Sequence, residues 1–243
     1  MATAVSLSDS LKDLEKELIR MANAQFESDA FKRLLGLRFT KERARMYVIQ
    51  RTHWTVNRRE CWALVQSAAP MPVKRVIWEH EREELEGDPS TGKADHYTMN
   101  FQEGAARGLA PEDFERVAPS DGCLTCCYAW LHLARTGPWL TALAASSALE
   151  MSNSDEILEG GAMSRRIGVK MRDEAGIPLK KQAVNVEHTH ADVEHAHMMM
   201  DIAADYATGE AEKDLILDGA RKSWAIDRIW KGHLADLLAA IPE

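Results

Sequence analysis

The sequence is short of the residues that would mark it as secreted, membrane-embedded or nucleic-acid-binding. Four cysteines in 243 residues are too few for a disulfide framework on a chain of this size. No apolar run approaches the roughly 20 residues of a transmembrane helix. The first ten residues have neither the basic start nor the apolar stretch of a secretory signal, so a cytoplasmic address is expected and a membrane partner is not. Basic residues are in deficit, 30 against 38 acidic ones, for a formal net charge of −8. That balance argues against nucleic acid as a partner, because phosphate neutralisation needs a basic face. There is also no Pro/Gly/Ser-rich linker, no internal repeat and no low-complexity tract. The length suits one substantial core, so a single domain over residues 1–243 is expected, with a homodimer left open.

Three of the cysteines, Cys123, Cys126 and Cys127, form a CxxC unit with no second unit elsewhere. They read as small apolar residues buried in a helix rather than as metal ligands. A second decoy is the run Gly87-Asp88-Pro89-Ser90-Thr91-Gly92-Lys93, which matches the start of a phosphate-binding loop. Ala94 stands where the magnesium-binding hydroxyl belongs, and a Glu-rich helix precedes it instead of a strand, so it reads as a connecting loop.

What the sequence does contain is helical spacing of apolar residues almost throughout, with no convincing alternating β-branched run. Helices are expected from about residues 8–10 to 26, over 29–35, from Thr40 to about 68, and over 73–86. Further ones are expected over 95–107, 121–135 and 138–151, then from Ser154 or Asp155 to 175, and over 179–206 and 210–241. Pro70 and Pro72 end the third, and the Gly87 loop ends the fourth. The expected fold is all-α, a bundle of seven to nine helices.

The informative stretch runs from Glu187 to His197. Within it His188, Asp192 and His195 follow HxxxDxxH spacing, which on an α-helix places all three on one face. Two imidazoles and a carboxylate suit Fe(II), and also Mn or Zn. The competing reading is a solvated polar face. Against it, the stripe continues through Val184, Met199, Ile202 and Tyr206, which points it into the bundle. His190, Glu194 and His197 satisfy a similar spacing, but that face continues through Asp201, Ala204, Asp205 and Gly209, which suits water. A metal within a bundle draws ligands from several helices. Glu84 shares a stripe with Val73, Ile77 and His80, with Glu81 at its edge and Glu86 near the helix end as rivals. His96 opens the next helix. Glu150 ends another, beside the small residues Ala142, Ala144, Ala145, Ser146, Ser147 and Ala148 that permit close helix approach. Glu60 lies on a stripe with Ile49, His53 and Val56, as either an extra ligand or a polar partner in the core.

This order of residues resembles the haem-oxygenase-like diiron oxidases and oxygenases, relatives of the thiaminase TenA and the pyrroloquinoline-quinone synthase PqqC. The resemblance covers roughly residues 40–207, and its specific part is the HxxxDxxH motif. It implies an up-and-down bundle of about seven helices holding two Fe(II) ions, with O₂ as co-substrate. Glu84, His96, Glu150, His188, Asp192 and His195 match the ligand set, with Glu150 in the bridging position. The implied reaction is oxidation of a small amino- or carboxylic-acid substrate by N-oxygenation, desaturation or oxidative C–C cleavage. The alternatives are a metal-free TenA- or PqqC-like enzyme acting on a small heterocycle, and a helical metal-storage or interaction protein.

Overall fold

Ser28, Thr40, Asp95 and Ser120 each accept, through a side-chain oxygen, from the backbone N–H three residues on in the following helix, the local chemistry that starts helices at those points. The computed structural model describes residues 9–88, 90–190 and 192–243, with the side chains of 187–196 left out. Twelve α-helices are found among the described residues: α1 (Asp9–Phe26), α2 (Asp29–Gly36), α3 (Lys41–Ala68), α4 (Met71–Glu86), α5 (His96–Ala105), α6 (Pro111–Arg116), α7 (Asp121–Thr136), α8 (Trp139–Met151), α9 (Met163–Ala175), α10 (Ala183–His190), α11 (Asp192–Tyr206) and α12 (Glu210–Ala239). The described residues contain no strand, only an isolated bridge between Asp88 and Lys93. None of the described helices is long and apolar enough to cross a membrane.

The described helices depart from the expected segments at three places. The short α6 starts at Pro111, where a proline at the first helical position costs no hydrogen bond. The expected helix over 179–206 opens instead with a 3-10 turn (Leu179–Lys181), and α10 and α11 are its described parts. Helix α9 begins eight residues later than its expected cap at Asp155. That aspartate instead accepts from the Ala162 backbone N–H at 2.7 Å and pairs with Arg165 at 3.1 Å, closing a loop rather than capping a helix.

Helix α8 is the axle of the fold. Every residue from Leu140 to Met151 is buried, because α1, α3, α7, α11 and α12 all pack around it. Its small side chains let α12 approach very closely: a Cβ added at Gly219 would lie 2.2 Å from the Thr141 carbonyl oxygen. The indole of Trp224 pins that crossing by donating to the Ala148 carbonyl and Ser152 Oγ, both at 3.0 Å. All four cysteines are buried thiols, and burial raises those of Cys61 and Cys126 to about 11 and about 12. The Gly87–Lys93 run is the loop between α4 and α5. Gly87 adopts φ +68° there, and a Cβ would meet the Lys93 carbonyl at 2.3 Å, so glycine is required by geometry.

Candidate metal centre

Helix α4 packs between α3, α5 and α11, so its inner stripe faces three neighbours. That stripe carries His80, Glu81 and Glu84, all buried. Buried carboxylates need partners, and the adjoining helices supply them. His96, at the start of α5, donates through Nδ1 to Glu84 Oε2 in a short hydrogen bond. Arg59 of α3 places one nitrogen, Nη1, 2.7 Å from Glu81 Oε1 and 2.9 Å from Glu84 Oε2. His80 donates to Glu81 at 3.0 Å. From α8, Glu150 reaches the same region and pairs with Arg58 at 3.2 Å.

The electrostatics join these contacts into one cluster. Burial alone would raise the Glu84 carboxyl, but Arg59, His96 and His80 outweigh it and hold the group well below the ordinary carboxylate range. At Glu150, burial pushes upward and Glu84 opposes ionisation. Arg58, His80 and Arg59 prevail, and the value falls to about 2. Glu84 and Glu150 are therefore close enough to interact, and both are ionised at neutral pH. Three carboxylates against two guanidinium groups leave one net negative charge before the imidazoles are counted.

The structure thus joins Glu84 and His96 between α4 and α5, with Glu150 of α8 near enough to Glu84 for each charge to affect the other. Glu81 joins them, while Glu86 is exposed at the end of α4. Glu60 is exposed, as is Val56 one turn before it; this corrects the expectation of a core-facing stripe, because α3 turns that edge to solvent. The side chains of His188, Asp192 and His195 lie outside the described residues. Their flanks are described: Val184, Met199 and Ile202 are buried and Tyr206 is half-buried, whereas His197, Asp201 and Asp205 are exposed. The apolar stripe that extends HxxxDxxH therefore faces inward, and the competing stripe faces water.

Arg58, Arg59 and the role of His80 are absent from the expected site. Spacing held a signal for Arg58, since Trp54, Arg58 and Trp62 follow one another at intervals of four on α3. The guanidinium lies over both indoles, 5.9 and 5.8 Å from their centroids. Also unforeseen is a second buried network that anchors α10. Glu103 accepts from Arg51 Nη2 at 2.6 Å and from the Asn185 backbone N–H at 3.2 Å. Arg51 Nη1 donates to Asn185 Oδ1 at 3.0 Å, and its Nε to Asn100 at 2.9 Å. Asn185 lies one turn before His188, so this network fixes the start of the helix carrying the HxxxDxxH motif.

Among the described residues, no group of three or more histidine, cysteine or acidic side chains is spaced to hold a metal ion as the side chains stand. Arg58 and Arg59 balance the carboxylates in this arrangement. The donor chemistry nevertheless fits divalent iron: ionised carboxylate oxygens and imidazole nitrogens, buried together within a bundle.

Comparison with known proteins agrees with this architecture. No curated protein matches the sequence. A domain of unknown function with a haem oxygenase-like fold from Shewanella denitrificans is 17% identical, covers 97% of this chain and 94% of its own, and superposes with a TM-score of 0.73. A CADD-like protein of unknown function from Nostoc punctiforme is 18% identical over 95% of this chain and 99% of its own, with a TM-score of 0.74. A TenA homologue from P. horikoshii is 17% identical over 94% and 100%, with a TM-score of 0.60. These likenesses establish the haem-oxygenase-like fold. A family model described as iron-containing redox enzyme matches residues 45–228, which span α3 to α12 and include every residue of the cluster. The chain belongs to that family of iron-containing redox enzymes.

Proposed function

We propose that this protein is a non-haem diiron oxidase or oxygenase acting on a small amino- or carboxylic-acid substrate. The observation that carries the reading is the buried, ionised cluster of Glu84, His96 and Glu150, in a chain belonging to an iron-containing redox family. Glu84 and His96 would hold one ion, Glu150 would bridge to a second, and His188, Asp192 and His195 would complete the set. Two ferrous ions held there would supply the electrons with which O₂ is reduced. The protein's own part is to keep the carboxylates ionised, which Arg58 and Arg59 do. It must also fix the position of α10, which Glu103, Arg51 and Asn185 do, and shield the centre from water, which the packing around α8 does.

A metal-free, TenA-like activity on a small heterocycle is the second reading. It is favoured by the arginine partners of Glu81, Glu84 and Glu150, which balance the carboxylates without any ion. Oxygen uptake on adding Fe(II) to the metal-free protein separates the two. A burst of uptake, accelerated by the right amino or carboxylic acid, supports the diiron reading. Uptake no greater than that of Fe(II) in buffer supports the metal-free one.

A further inference from the structure

We propose that Arg59 is a place-holding cation: its guanidinium neutralises Glu81 and Glu84 in the metal-free chain, and the first divalent ion binds there by displacing it. This inference rests on the diiron reading and adds the loading step to it.

Arg58 and Arg59 carry the same charge but are held very differently. The Arg58 side chain is 2% exposed and lies over two indole rings, with Nη2 donating to the Ser146 carbonyl at 2.8 Å as well as to Glu150. Stacking on two aromatic faces and an interhelical anchor fix it in place. Arg59 is 16% exposed. Both carboxylates meet its single Nη1 atom, and no backbone carbonyl or aromatic face among the described residues anchors it as they anchor Arg58. Neither arginine makes a forked pairing with a carboxylate, the arrangement in which arginine binds most strongly. The Arg59 side chain already touches solvent, which that of Arg58 hardly does.

Charge bookkeeping favours exchange over addition. Glu81, Glu84 and Glu150 with both arginines sum to −1. A divalent ion added beside Arg59 would bring the cluster to +1, whereas the same ion in its place gives 0. The exchange breaks no covalent bond: one guanidinium leaves two carboxylate oxygens for solvent, and one hydrated divalent ion gives up water ligands to take them.

The test uses the full metal-free chain with Co(II) alone as probe. Labelling of Arg59 by phenylglyoxal, read by peptide mass spectrometry, reports whether the guanidinium has moved into solvent. Displacement predicts slow labelling without metal and at least several-fold faster labelling with saturating Co(II), while Arg58 stays unlabelled in both states. In parallel, Arg59→Gln should melt at a lower temperature without metal and bind the first Co(II) about tenfold tighter, with Arg59→Lys close to wild type. Labelling of wild-type Arg59 that Co(II) leaves unchanged overturns the proposal, even if Arg59→Gln fails to fold. Equal or weaker Co(II) binding by folded Arg59→Gln overturns it as well. Absence of Co(II) and Fe(II) binding by wild type overturns the diiron reading and this inference together, an outcome distinct from binding without displacement.

Discussion

At the scale of single residues, the cluster depends on which glutamates of α4 turn inward. Successive helical positions lie about 100° apart. The stripe through Val73, Ile77 and His80 therefore reaches Glu84, with Glu81 at its edge, while Glu86 falls outside. That much was legible, because a carboxylate on an apolar stripe stands out. Glu84 contacts both His96 and Arg59, and its removal takes away a proposed ligand and leaves Arg59 paired with Glu81 alone. Glu84→Ala should therefore lose Fe(II) binding at its site and destabilise the metal-free chain by roughly 1–3 kcal/mol. Glu86→Ala, at an exposed position, should change stability by no more than about 0.5 kcal/mol and keep its iron. Urea unfolding with an iron assay on both variants checks this, and iron loss in Glu86→Ala alone would contradict the geometry. The arginines were less legible, because a basic residue in a sequence ordinarily signals a solvated surface. Only the flanking tryptophans at intervals of four hinted that Arg58 is buried.

At the scale of elements, the helix starts of α2, α3 and α7 follow from their caps and were readable in advance. The α9 start was not, because Asp155 makes its hydrogen bonds within a loop, and nothing local distinguishes that role from a cap. Nor was the anchor of α10 readable: Arg51, Glu103 and Asn185 are far apart in the chain, and only tertiary packing brings them together. Glu103 is fully buried and balances both Arg51 and Arg107. Glu103→Ala should cost on the order of 3–5 kcal/mol. It should also speed hydrogen exchange in α10 more than in α8, a contrast that uniform loosening would not give. The register of the motif belongs to this scale too. The inward flanks of HxxxDxxH and the exposed His197, Asp201 and Asp205 lead to a contrast between variants. His188→Ala and His195→Ala should each lose iron, while His190→Ala keeps it with little change in stability. Iron loss confined to His190→Ala and His197→Ala would show that the opposite face carries the metal.

At the scale of the whole molecule, hydrophobic periodicity sufficed for the all-α class, while the haem-oxygenase-like fold was implied by the resemblance that a few ordered polar residues carry. Helix α8, buried along its whole length after its first residue, is the element the other helices surround. What periodicity could not supply is how the buried charges are balanced, since that depends on residues from three or four helices meeting in space. If the balanced cluster is a site for two irons, the iron content of the chain after anaerobic loading with Fe(II) and removal of unbound metal reads it out. Two irons per chain are expected, with consumption of O₂ when the loaded protein is exposed to it. A folded wild-type chain that retains no iron under those conditions would contradict the diiron reading.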